Sequence, residues 1–165
     1  MGLDMYMSAR KYVRRHNWNN VNDEVTKEIN PLFTKFVDAV DANDVVEPDG
    51  FSGISVDIPF AYWRKANAIH SWIVNNCAEG VDECQRIYLP PSRIDELLGV
   101  CKEVLKNKDA ASELLPPSSG FFFGSQATDE WYFEDIKYTV EVLEKAIKII
   151  KDENQEYDFY YQASW

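Results

Sequence analysis

At 165 residues, with 45% hydrophobic and 27% charged residues, the chain has enough apolar material for one real core and reads as a single domain over 1–165. No apolar run approaches the roughly 20 residues that a membrane-spanning helix needs, and the first residues lack the basic and apolar regions of a signal peptide, so a cytoplasmic location is expected. A formal charge of −11 repels phosphate backbones and argues against general DNA or RNA binding, while serving solubility and leaving nucleic-acid mimicry open.

Residues 2 to 9 alternate, Leu3, Met5 and Met7 opposing Asp4, Tyr6 and Ser8. That period of two predicts a strand with one buried face. Residues 10 to 20 are basic and rich in Asn and read as a loop. A helix is predicted over 22–42, with Asn22 as N-cap and Val25, Ile29, Leu32 or Phe33, Phe36 and Val40 at three-to-four spacing. Pro31 predicts a break or kink near Asn30. Pro48, Asp49, Gly50 and Gly53 mark a turn-rich connection. Ile54, Val56 and Ile58 then predict a strand that Pro59 ends.

A second helix is predicted over 60–77, with Gly80 beyond its end. Ile87-Tyr88-Leu89 is a short strand stopped by Pro90-Pro91. Ser92 with Asp95 reads as a capping-box-like start to a helix whose stripe is Ile94, Leu97, Leu98, Cys101, Val104 and Leu105. A helical turn covers 109–115, and Gly120 to Gly124 is a Phe-rich strand or tight loop. Thr128 caps the longest helix, 129–152, with Phe133, Ile136, Val140, Leu143, Ile147 and Ile150 as its stripe. Residues 157 to 165 alternate again, Phe159, Tyr161, Ala163 and Trp165 opposing Tyr160, Gln162 and Ser164, which predicts a docked final strand. The expected fold is α+β: a small sheet with both terminal strands as neighbours, packed against about four helices.

Three cysteines, Cys77, Cys84 and Cys101, are odd in number and widely spaced. They argue against a disulfide framework and fit a reducing compartment. The spacing of His70, Cys77, Cys84 and Cys101 matches no standard zinc pattern, so no metal and no cofactor is expected. Cys101 sits on an apolar stripe as a small core residue. No G-x-S-x-G, H-E-x-x-H, Walker lysine or G-x-G-x-x-G pattern is present, so no signature names a reaction.

Three segments set amphipathic aromatics beside charged and amide groups: Tyr62 to His70, Gly120 to Tyr132, and Tyr160 to Trp165. Such clustering favours recognition surfaces. On the predicted 60–77 helix, Trp63, Asn67 and His70 share a stripe, with Arg64 three residues before Asn67. Arg64 and Lys65 would neutralise an anion, and Trp63 would stack on a ring together with Tyr132 or Tyr161. Asn67, His70, Gln162 and Ser164 would read polar edges. Asp129 and Glu130 fill the first turn of the longest helix, which weakens a phosphate site there; they would accept hydrogen bonds from a ribose, a base or Arg64. The bland alternative has Trp63 in the core, Arg64 paired with a surface carboxylate and His70 as a satisfied buried imidazole. Equally, Tyr161 and Trp165 could simply pack on the long helix.

The opening Met-Gly-Leu-Asp-Met-Tyr, the Tyr62–Trp72 run, the Gly120–Ser125 and Asp129–Asp135 blocks and the terminal Tyr-Tyr-Gln-Ala-Ser-Trp resemble a family of small bacteriophage and prophage proteins, across nearly the whole chain. The resemblance carries over no catalytic residue. It implies a phage origin and expression in the host cytoplasm, where small phage proteins often counter host defences, sometimes by trapping nucleotide-derived signals. The leading expectation is a binding protein that captures a small, anionic, nucleotide-like ligand and does not span a membrane. The others are an enzyme on such a ligand with His70 as acid or base, and a protein–protein inhibitor that uses its acidic surface. Whether a second copy of the chain completes the site stays open.

Overall fold

The alternation at the start of the chain becomes β1 (Asp4–Arg14), and the alternation at its end becomes β6 (Asp158–Ser164). Between them lie β2 (His16–Val21), β3 (Glu24–Ile29), α1 (Pro31–Ala39), β4 (Gly53–Arg64), α2 (Asn67–Cys77), β5 (Ile87–Leu89), α3 (Pro91–Lys106), a 3-10 turn (Lys108–Ala110), α4 (Ala111–Leu114) and α5 (Glu130–Ile150). The structure is a computed structural model and describes residues 2–21, 24–46, 53–120, 123–153 and 155–165, with the side chains of 19–21, 24 and 25 also outside that description. Asn22 as a cap, the Pro48-Asp49-Gly50 turn and the rings of Phe121 and Phe122 lie outside the described residues. One antiparallel sheet has the order β4-β1-β6-β5, and β2 and β3 form a separate two-stranded sheet. The fold is α+β, with the terminal strands β1 and β6 as neighbours.

The chain divides into two compact units, one made of the chain up to Ala9 with Ile58–Trp165, the other of Arg10–Asp57. In the larger unit, Leu3, Met5 and Met7 of β1 and Phe159, Tyr161 and Ala163 of β6 are buried together with Ile87 and Leu89 of β5. Ile69 and Ile73 of α2, Leu97, Cys101 and Val104 of α3 and Ile136, Leu143 and Ala146 of α5 complete this core. Helices α3 and α5 pack on each other, and Lys102 Nζ reaches Glu144 Oε1 at 2.7 Å across them. Burial pushes the Cys101 thiol up to about 12, so it stays protonated as a small apolar residue.

The smaller unit has its own core of Val13, Phe33 and Val37. Arg10 forks onto the Asp57 carboxylate through Nε and Nη2, each at 3.1 Å. Gly53 is needed for close approach, since a Cβ there would lie 2.3 Å from the Val13 carbonyl.

Several expected boundaries move, each for a local reason. Residues 10 to 14 and 16 to 20 are strand rather than loop, the former as the end of β1, and 24 to 29 are strand rather than helix, because β2 and β3 pair antiparallel with His16 opposite Ile29. Asn30 starts a helix instead of breaking one: its Oδ1 accepts the Leu32 N–H at 3.0 Å and Pro31 takes the first helical position. Pro59 does not end β4, because β4 is an edge strand, where a missing N–H is tolerated. Pro90 and Pro91, not Ser92 with Asp95, open α3, and no side chain caps it. Asp129, not Thr128, caps α5, accepting the Tyr132 N–H at 3.1 Å. The fully buried face of α5 includes Tyr132, Ile136, Thr139, Leu143 and Ala146, and the expected Phe133, Val140, Ile147 and Ile150 flank it half-buried.

Candidate functional site

The expected helix over 60–77 is two elements. Strand β4 runs to Arg64, and α2 begins only at Asn67. The Lys65 N–H donates to the Leu3 carbonyl at 2.8 Å, extending the pairing with the start of the chain by one bond. Lys65 then adopts φ +62°, a left-handed conformation that costs a side-chain-bearing residue energy. Ala66 follows at φ −74° and ψ 64°, an inverse γ-turn closed by the Asn67 N–H on the Lys65 carbonyl at 2.8 Å. This corner turns the chain from strand to helix within two residues. Tyr62, Trp63 and Arg64 therefore do not share a helical stripe with Asn67 and His70.

Beside the corner lies a cleft of about 290 Å³. Arg64 and Lys65 from the corner, the first turn of α2 from Asn67 to Ile69, the loop residues Gly124, Ser125 and Ala127, the α5 cap Asp129, and Trp131, Tyr132, Asp135 and Ile136 of α5 line it. No side chain caps α2, and the first N–H groups of a helix have no partner within it. The α5 N-terminus, by contrast, is closed by Asp129. An anion-attracting helix end thus meets the cleft at α2, not at α5 as the glycine-flanked segment suggests. Lys65 has no ion pair among the described residues, and Arg64 has only a long one, 3.9 Å from Asp4.

The other wall is acidic. Asp129, Tyr132 and Asp135 recur every three residues on α5 and share a face. Tyr132 is pinned by its hydroxyl, which donates to the Leu115 carbonyl at 2.7 Å. Burial, with the Asp129 carboxylate nearby, pushes the Asp135 carboxyl up to about 6. Trp131 is 79% exposed and offers a free ring.

Asn67 holds the loop that closes this cleft. Its Nδ2 donates to the carbonyls of Phe123 and Ser125, both at 2.9 Å, and its Oδ1 accepts the Ser118 N–H at 3.0 Å. Its amide is therefore spent within the protein rather than on a ligand. Trp63 is 4% exposed; its Nε1–H donates to Thr139 Oγ1 at 2.9 Å, and that hydroxyl donates to the Asp135 carbonyl at 2.7 Å. No face of Trp63 is left for stacking.

His70 is 1% exposed and bridges Tyr161 and Asp82. The donor order that satisfies every atom has the Tyr161 hydroxyl donating to Nδ1 at 2.7 Å and Nε2–H donating to Asp82 Oδ2 at 2.9 Å. Trp165 Nε1–H donates to the same carboxylate oxygen at 3.3 Å. Burial drives the Tyr161 phenol far above its ordinary pKa, so it remains a donor. This chain ties α2 to β6, and neither His70 nor Tyr161 lines the cleft.

Of the residues expected at a site, the structure brings Arg64, Lys65, Asn67, Asp129 and Tyr132 together at the cleft. Trp63, His70 and Tyr161 are core; Glu130, Gln162 and Ser164 are exposed and outside the cleft lining. Gln162 Nε2 donates to the Cys84 carbonyl at 2.9 Å. Sequence reasoning passed over Trp131 and Asp135, although Asp135 was legible as the next residue on the Asp129–Tyr132 face. Among the described residues, no group of three or more His, Cys, Asp or Glu is placed to share a metal ion, and no helix is long and apolar enough to cross a membrane. Comparison with protein-family models, curated proteins and solved structures returns no match.

Proposed function

We propose that the protein binds a small anionic ligand of the nucleotide class in the cleft at the β4–α2 corner. One observation carries the reading: two cationic side chains, Arg64 and Lys65, meet an uncapped helix N-terminus at a concave surface of an otherwise acidic protein. An anion there gains charge-assisted hydrogen bonds, whereas a long polyanion is repelled by the surrounding charge. The exposed Trp131 takes the stacking role first assigned to Trp63. His70, with both ring nitrogens engaged inside the protein, has no part in the chemistry of this cleft. Taken with the resemblance to phage and prophage proteins, the proposal extends to sequestration of a host signal.

The test is a thermal-shift and calorimetric screen of mono-, di- and cyclic nucleotides and inorganic phosphate, with mass spectrometry of each mixture. At 100 times its dissociation constant a bound ligand adds about 2.7 kcal/mol to stability. Lys65→Ala should weaken every anion that binds, and intact ligand after incubation supports capture rather than turnover. If no anion in the panel shifts the melting temperature, the reading fails.

A further inference from the structure

The acidic wall of the cleft has no role in holding an anion. We propose that Asp135 is the residue that reads the ligand's other end, accepting hydrogen bonds from ribose hydroxyls, so that the cleft selects ribonucleotides over their deoxy counterparts. This rests on the anion-binding reading of the same cleft.

The neighbouring polar groups are engaged within the protein: Asp129 with the Tyr132 N–H, Tyr132 with the Leu115 carbonyl, and Asn67 with the Phe123 carbonyl and the Ser118 N–H. The Asp135 carboxylate is not. It lines the cleft half-buried, with no hydrogen-bond or ion-pair partner among the described residues. Removing a carboxylate from water beside a second carboxylate costs free energy, and no cation offsets that cost here. A group held at such a cost in a cleft is a candidate for binding. Ionised, it only accepts, on two oxygens, so its complement is a group with donors. The vicinal hydroxyls of a ribose present two donors side by side, and an acidic side chain on ribose hydroxyls is a recurrent pairing. An alkylammonium would also suit a carboxylate, and the experiment separates the two.

Titrate the wild-type protein with ribonucleoside 5′-monophosphates, their 2′,3′-dideoxy counterparts, phosphoethanolamine and inorganic phosphate, then repeat with Asp135→Asn. Loss of hydrogen bonds to a charged group should weaken the dideoxy compounds about tenfold or more. Asp135→Asn should lower ribonucleotide affinity to the dideoxy level and should not weaken inorganic phosphate, which loses only a repulsive charge. The comparison of ligands on the wild type needs no variant, so a folding defect in Asp135→Asn leaves the test intact. Equal affinity for ribo and dideoxy compounds, with phosphate still competing, overturns the role of Asp135 while the anion site stands. Phosphoethanolamine binding as tightly as any ribonucleotide, and weakened by Asp135→Asn, overturns ribose in favour of an ammonium. No binding by any of these compounds overturns both readings together.

Discussion

Replacing Asp135 by Asn should stabilise the protein at neutral pH while it weakens ribonucleotide binding. The Asp135 carboxyl titrates near 6 in the fold against 3.8 when unperturbed, because burial and the Asp129 carboxylate both disfavour its charged form. A raised acid binds more protons folded than unfolded over that interval, so stability falls as pH rises from about 4 to about 6 and the full penalty remains above it. Two pKa units correspond to about 3 kcal/mol at most. The group is only half-buried, and solvent screening reduces the expected penalty to about 1 kcal/mol. Asn carries no charge, so Asp135→Asn should gain that amount at pH 7.5 and little near pH 3, where Asp135 is mostly protonated in both states. For a chain of this size the gain is a melting-temperature rise of about 2–4 °C. Asp129, Arg64, Lys65 and Tyr132 line the same cleft and are left in place, so the difference between paired melts isolates Asp135. A variant less stable than wild type at pH 7.5, or a gap that does not narrow towards pH 3, refutes the view that this carboxylate is held against stability.

Two further outcomes separate core from site. Tyr161→Phe leaves His70 Nδ1 buried without its partner and should cost about 1–3 kcal/mol in denaturant unfolding, with ligand affinity at the cleft unchanged. Trp131→Ala should change stability by no more than about 0.5 kcal/mol, since the ring is 79% exposed. Its loss should weaken nucleotides about tenfold by removing stacking, and leave inorganic phosphate as before.

Of the Tyr62 to His70 segment, Arg64, Lys65 and Asn67 line the cleft, whereas Trp63 and His70 are buried in the core. Helical spacing put Trp63, Asn67 and His70 on one face, and the run of Tyr62, Ala66, Ile69 and Ile73 fits a helix equally well. What overrode that pattern is non-local: β4 pairs beside β1 and the Lys65 N–H finds the Leu3 carbonyl, more than sixty residues away in sequence. The helix starts only where that pairing stops. The bland reading of Trp63 and His70 was the correct one, because each finds a buried partner, Thr139 and Asp82, that no local spacing reveals.

The sequence by itself determined the elements whose pattern is local and uninterrupted. The alternation at 2–9 and 157–165, the stripe of α3 and the length of α5 all follow from side-chain period, and the α+β class follows from their sum. Neither alternation specifies its partner strand; that β1 and β6 are neighbours comes from the sheet order. Tertiary structure alone decided which polar residues are spent inside and which face the cleft. Burial of a donor or acceptor depends on partners brought from distant elements, as Asn67 takes Ser118, Phe123 and Ser125, and Tyr161 takes His70. Arg64, Lys65, Trp131 and Asp135 are left to the cleft because the fold offers them no such close partner, and that is a property of three-dimensional neighbours rather than of residue type.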